Sequence, residues 1–141
     1  MGPAHTILFL CPHNAAKSVI AAAYFDRLAR ERSLDYRAAS AGTSPDAAPS
    51  PAVVAMLREE GIDVAGYRPR RVTTENLTSA HRVISLGCDP DDLDGDVRLD
   101  RWDDVPPASQ DLIASRAAIE RHLDRLVDEL ATGVRPQTPG D

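Results

Sequence analysis

Lysine is nearly missing from this chain: of sixteen basic residues fifteen are arginine, and Lys17 is the one lysine. Cysteine is scarce as well. Cys11 and Cys88 are too few for a disulfide framework and their spacing fits no zinc pattern, so each thiol must be judged by its surroundings. No apolar run approaches the roughly 18 residues that span a bilayer, and the N-terminus lacks the charged-then-apolar layout of a secretory signal. Excess positive charge is lacking too. With 22 acidic against 16 basic residues the formal net charge is −6, which gives no general attraction to phosphate backbones or anionic lipid. These absences lead us to expect a cytoplasmic protein with no nucleic-acid and no membrane partner.

What is present suffices for one packed core: 141 residues, 43% of them hydrophobic. His5 to Leu10 is a short apolar run that predicts a buried first strand, broken by Cys-Pro-His-Asn. From Ser18 to Arg32, Val19, Ile20, Ala23, Tyr24 and Leu28 recur at helical spacing. Tyr36 to Ala39 reads as a second strand, and Ser50-Pro51 as the cap of a helix that stops at Gly61. Arg82 to Leu86 predicts a third strand ending at Gly87-Cys88, with a short fourth from Val97 to Leu99 or Trp102. Ser109 opens a last helix, with Leu112, Ile119, Leu123, Leu126, Val127 and Leu130 on one stripe and a stop at Thr132-Gly133. The alternation implies an α/β fold, a single-domain parallel four-stranded sheet with helices on both faces. Residues 1–133 form the domain, and residues 134–141 are expected to be a disordered tail.

In open α/β sheets ligands bind at the carboxyl ends of the strands, and Cys11 and Cys88 both fall at such ends. The loop Cys11-Pro12-His13-Asn14-Ala15-Ala16-Lys17-Ser18 leads into a helix N-terminus, so its backbone N–H groups and the helix dipole can cradle a tetrahedral oxyanion. The same field favours a nucleophilic thiolate at Cys11. Ser18 can donate to that thiolate, Asn14 tolerates a left-handed backbone and can brace the loop, and Lys17 faces the anion. For an arbitrary strand–loop–helix the commoner reading is an inert cysteine and a solvated lysine. Other signals are weaker. Asp92-x-Asp94-Gly95 partly matches a calcium loop, but Pro90 and Arg101 break it at both ends, so no metal and no cofactor is expected. Of the four histidines only His13 lies in the candidate site, and Arg68, Arg70 and Arg71 read as a wet surface.

Leu8-Phe9-Leu10-Cys11-x-x-Asn14-x-x-Lys17-Ser18 resembles the phosphate loop of the low-molecular-weight protein tyrosine phosphatase superfamily, Cys-x-x-Asn-x-x-Arg-Ser, with lysine in the place of arginine. Ser40-Ala41-Gly42-Thr43 resembles that family's second loop, whose serine supports the loop asparagine. Gly61-Ile62-Asp63-Val64, Arg68 to Thr73 and Val83 to Cys88 are more similar to its thiol-coupled arsenate reductases. The resemblance implies that Cys11 attacks a small oxyanion or phosphoester held by residues 12–17, with Cys88 as the resolving thiol. A thiol reductant, either a thioredoxin-like protein or a low-molecular-weight thiol, would then be the partner. The chain departs from the pattern twice more. No third cysteine follows Cys88, and Pro106 stands where the family carries an aspartic general acid, leaving Asp104 as the nearest substitute. Three functions follow: an arsenate reductase, a phosphatase acting through a phosphocysteine, or a silent member that binds an anion or protein.

Overall fold

The computed structural model describes residues 5–93 and 98–133. Four parallel strands, β1 (His5–Leu10), β2 (Tyr36–Ala41), β3 (Arg82–Ser85) and β4 (Asp100–Arg101), lie in the order β2-β1-β3-β4. The central strand β1 is buried on both sides, which is why its sequence is a continuous apolar run rather than an alternating one. Its period of two still sorts the side chains. Ile7 and Phe9 enter the larger core with the helices α1 (Lys17–Glu31), α2 (Pro51–Glu59) and α4 (Leu112–Thr132). Leu8 and Leu10 enter a smaller core with Leu77 of α3 (Thr74–Ser79), Val83 and Cys88. Each fully buried Leu, Ile or Phe in these cores contributes roughly 1.5–3 kcal/mol.

The parallel sheet with helices on both faces is as the alternation implied, but several boundaries moved. The last helix starts at Leu112 rather than at Ser109, because Asp111 caps it by accepting the Ala114 N–H at 2.9 Å. Ser50 does precede α2, yet its side chain makes no capping bond, and its own N–H is spent on the Ala15 carbonyl. The fourth strand is only Asp100–Arg101, and the Val97 expected to begin it lies outside the described residues, as does the tail from 134. Helix α3 has too few apolar residues to show a period. It is held by a reciprocal cap in which Asn76 N–H donates to Thr73 Oγ1 and Thr73 N–H to Asn76 Oδ1. Gly133 closes α4 in the left-handed conformation, as its position suggested.

Candidate active site

The loop from Cys11 to Ala16 joins β1 to α1. Four of its six carbonyls already have partners. Pro12, His13 and Ala15 accept the N–H groups of Ser44, Asp46 and Ser50 at 2.7, 3.0 and 2.8 Å, and Ala16 accepts from Ile20 at 2.9 Å. Among the described residues no acceptor takes the N–H groups of His13, Asn14, Ala15, Ala16 or Lys17. Carbonyls tied down and donors left open make a socket for a negative charge at the start of α1. The second loop must lie very close to do this. A Cβ on Gly42 would sit 2.6 Å from the Pro12 oxygen and 2.7 Å from the Cys11 oxygen, so only glycine fits there.

Asn14 holds the loop's shape. It is fully buried with φ of 49°, and every polar atom of its amide described is used. Its Nδ2 donates to Ser18 Oγ at 2.8 Å, and its Oδ1 accepts from the Tyr67 hydroxyl at 2.6 Å and the Arg70 N–H at 3.0 Å. Ser18 Oγ lies 3.0 Å from Cys11 Sγ, and the Ser18 N–H lies 3.4 Å from the same sulfur. Because Asn14 donates to the serine oxygen, the serine proton is free to turn toward an ionised sulfur. Ser40, expected from the resemblance to support Asn14, stands one residue removed from it. It reaches Asn14 through Tyr67, whose hydroxyl is 2.7 Å from Ser40 Oγ, rather than directly. Arg70, read as wet surface, spends its Nε on the Ser40 carbonyl at 3.0 Å. Tyr67 was not singled out in the sequence, since its role depends on a loop crossing that local spacing does not encode.

Cys88 sits on a turn pinned by Ser85, whose Oγ accepts the Cys88 N–H at 3.0 Å and donates to the Cys88 carbonyl at 3.2 Å. The turn needs Gly87 at φ 97°, and the Lys17 Nζ stands 3.2 Å from where a Cβ on Gly87 would lie. Burial pushes the Cys88 thiol up to about 11, the neighbouring Cys11 adds to this, and the Thr43 hydrogen bond and the Lys17 charge pull the other way. The fold thus brings Cys11, Lys17 and Cys88 within electrostatic reach of one another, although both thiols are buried.

A cleft of about 450 Å³ opens beside the loop, with Cys11, His13, Lys17 and Asp46 on one side and Ala52, Val53, Pro107 and Leu112 on the other. Asp104 is not part of its wall. Its carboxylate is bonded to His122 at 2.7 Å, and that bond holds it below the ordinary carboxylate range, the opposite of what a proton donor needs. His122 in turn stacks on Trp102 with ring centroids 4.6 Å apart. Pro106 is followed by Pro107, Ala108 and Ser109, which line the cleft without a carboxyl.

A buried cysteine at the carboxyl end of a central parallel strand, opening into an anion socket at a helix start, defines a class of cysteine-centred oxyanion sites. Residues 6–91 match the family described as low molecular weight phosphotyrosine protein phosphatase, and the chain belongs to that family. It is 30% identical over 123 residues to a protein of Halobacterium salinarum that carries a provisional arsenate reductase name, covering 85% of this chain and 87% of that one. A thioredoxin-dependent arsenate reductase of Corynebacterium glutamicum shares the fold at TM-score 0.78 and 22% identity, over 94% of this chain and 64% of that one. This chain therefore spans just under two thirds of that protein's length. A low molecular weight protein tyrosine phosphatase from T. tengcongensis shares the fold at TM-score 0.70 and 22% identity, over 92% of this chain and 99% of that one. Among the described residues no helix is long and apolar enough to cross a membrane.

Proposed function

We propose that this chain reduces arsenate with two of its own thiols. Cys11 attacks arsenate held in the socket, an As–O bond breaks with loss of water, and a thioarsenate forms on Cys11. Cys88 then passes its proton to an oxygen of the arsenic group and attacks the Cys11 sulfur as the thiolate. An S–S bond forms, the As–S bond breaks with its electron pair on arsenic, and arsenite leaves. A thioredoxin-like protein or a low-molecular-weight thiol reduces the Cys11–Cys88 disulfide. The observation that carries this reading is the place of Cys88, a buried thiol on the turn after β3, whose Ser85 pairs with Leu10 just before Cys11 and whose Gly87 lies against Lys17 Nζ. A phosphatase has no use for it. The raised Cys88 also orders the reaction, because a thiol held protonated does not compete with Cys11 for the first attack. In this reading Lys17 faces the oxyanion as a point charge where the resembling pattern carries arginine's planar fork.

The test is Cys88→Ser, assayed on arsenate with either reductant and on phosphate esters. Arsenate turnover should vanish while ester hydrolysis persists, and wild-type protein stopped in mid-turnover should contain the Cys11–Cys88 disulfide by mass spectrometry. Full arsenate turnover by Cys88→Ser sinks the reading. A second reading, hydrolysis of a phosphate ester through a phosphocysteine on Cys11, is favoured by the size of the cleft. An inorganic oxyanion alone would leave its apolar wall of Ala52, Val53, Pro107 and Leu112 uncovered. Absence of both activities would leave a binding role for the socket.

A further inference from the structure

Displacing an oxygen from arsenic or phosphorus requires a proton for the departing atom, and the position at which the resembling pattern carries its acid is Pro106. The described wall of the cleft holds four ionisable side chains, Cys11, His13, Lys17 and Asp46. Cys11 is the proposed nucleophile and Lys17 the proposed anion ligand, which leaves His13 and Asp46 as the proton donors the wall itself offers. The two are paired, His13 Nδ1 lying 3.5 Å from Asp46 Oδ1. The same nitrogen lies 3.2 Å from the Ser44 carbonyl, which can only accept, so that bond requires a proton on Nδ1. A second proton on the ring is then carried by Nε2. The backbone repeats the arrangement, because the Asp46 N–H donates to the His13 carbonyl at 3.0 Å. The backbone bond ties the two loops together beside a side-chain pair that is 66% exposed at His13 and 55% at Asp46.

We propose that His13, oriented by Asp46 and the Ser44 carbonyl, is the catalytic acid of this cleft. The assignment rests on Cys11 being the nucleophile and holds for either substrate class. As the Cys11 sulfur bonds to arsenic or phosphorus, the bond to the opposite oxygen breaks and its electron pair leaves with that oxygen. The Nε2 proton of the imidazolium joins it, giving water from arsenate or an alcohol from an ester, and His13 is left neutral until solvent reprotonates it. The charged groups facing it are Asp46 from the second loop and Lys17 and Cys11 from its own. The α2 and 107–112 walls present Ser50, Val53, Ser109 and Leu112, none of them charged.

Leaving-group dependence tests this directly. His13→Gln should lose about a hundredfold on phenyl phosphate, whose alkoxide-like oxygen needs a proton. On 2,4-dinitrophenyl phosphate, whose phenolate leaves unaided, the loss should stay under about threefold, since proton transfer is the only contribution removed. Asp46→Asn should weaken the same step less and shift the pH profile of phenyl phosphate cleavage. Equal losses on the two esters would assign His13 a structural role and overturn the proposal. Histidine-detected NMR with inorganic phosphate works without turnover. Bound phosphate should move the His13 titration to higher pH. If phosphate perturbs Lys17 and leaves His13 unmoved, His13 is not the acid. If phosphate perturbs neither, the socket and the proposed function fall together. Ester cleavage that shows the leaving-group split without arsenate turnover would sink the reductase reading and keep His13.

Discussion

Arg82 and Lys17 stand at opposite ends of the same sheet. Arg82 opens β3, and its guanidinium is closed off: Nε and Nη2 donate to Asp100 at 2.9 and 2.7 Å, and Nη1 donates to Glu129 at 2.9 Å. It ties β3, β4 and α4 together with its side chain only 16% exposed. Lys17 sits where the strands end, and among the described residues it makes no ion pair. It opens α1 beside four further N–H groups that no acceptor takes among the described residues, and it faces the Gly87–Cys88 turn. A cation serves stability where carboxylates surround it. Where donors surround it, the cost of gathering positive charge is recovered only when an anion arrives.

The comparison can be broken by removing each cation in turn. Lys17→Met should lower turnover by roughly 10²–10³-fold, the range for losing one preorganised charge at a developing anion. It should leave the melting temperature unchanged or slightly raised. Arg82→Met should do the reverse. Asp100 and Glu129 would face each other without their shared partner, costing about 2–4 kcal/mol, while the protein that remains folded keeps its activity. Thermal melts and steady-state kinetics on the two variants decide the matter. A large stability loss at Lys17 would mean that its charge is structural after all.

A smaller effect should come from within the socket's support. Tyr67→Phe leaves Asn14 Oδ1 with only the Arg70 N–H and deprives Ser40 Oγ of its partner. The expected loss is about 1–2 kcal/mol of stability. Alkylation of Cys11 by iodoacetamide should slow as well, because Asn14 positions the Ser18 hydroxyl that steadies the sulfur. A stability loss with unchanged alkylation would confine Tyr67 to packing the second loop.

The two ends of the sheet also differ in how well the sequence announces them. The strand β1, the stripe of α4 and the loop that joins β1 to α1 are local, so the apolar run at His5–Leu10 and the motif from Cys11 to Ser18 could be read from adjacent residues. Tyr67 and Arg70 could not. They lie 53 and 56 positions from Asn14 and act through a loop crossing that no periodicity records. Asp104 shows the converse error. Nearness in sequence to Pro106 suggested an acid, but one turn of α4 offered His122, and the carboxylate took that partner instead of the cleft. The pairing of His13 with Asp46 escaped for the same reason as Tyr67, since it joins two loops 33 positions apart.

That Asp104–His122 pair offers the mildest test, because it places a charged contact outside the socket on an exposed surface. Its bond to His122 holds the Asp104 carboxyl below its ordinary value of 3.8. A group whose folded-state value is depressed adds stability above its unfolded value and loses it as pH falls through the folded one. Wild type should therefore lead Asp104→Asn in melting temperature near neutrality, and the lead should shrink below about pH 4 as the carboxyl protonates. The carboxylate is 69% exposed, so solvent screens the pair and the lead should be small. Catalysis should be equal in the two proteins at every pH where both are folded. A marked loss of turnover in Asp104→Asn would return this residue to the reaction and remove the need for an acid on the socket loop.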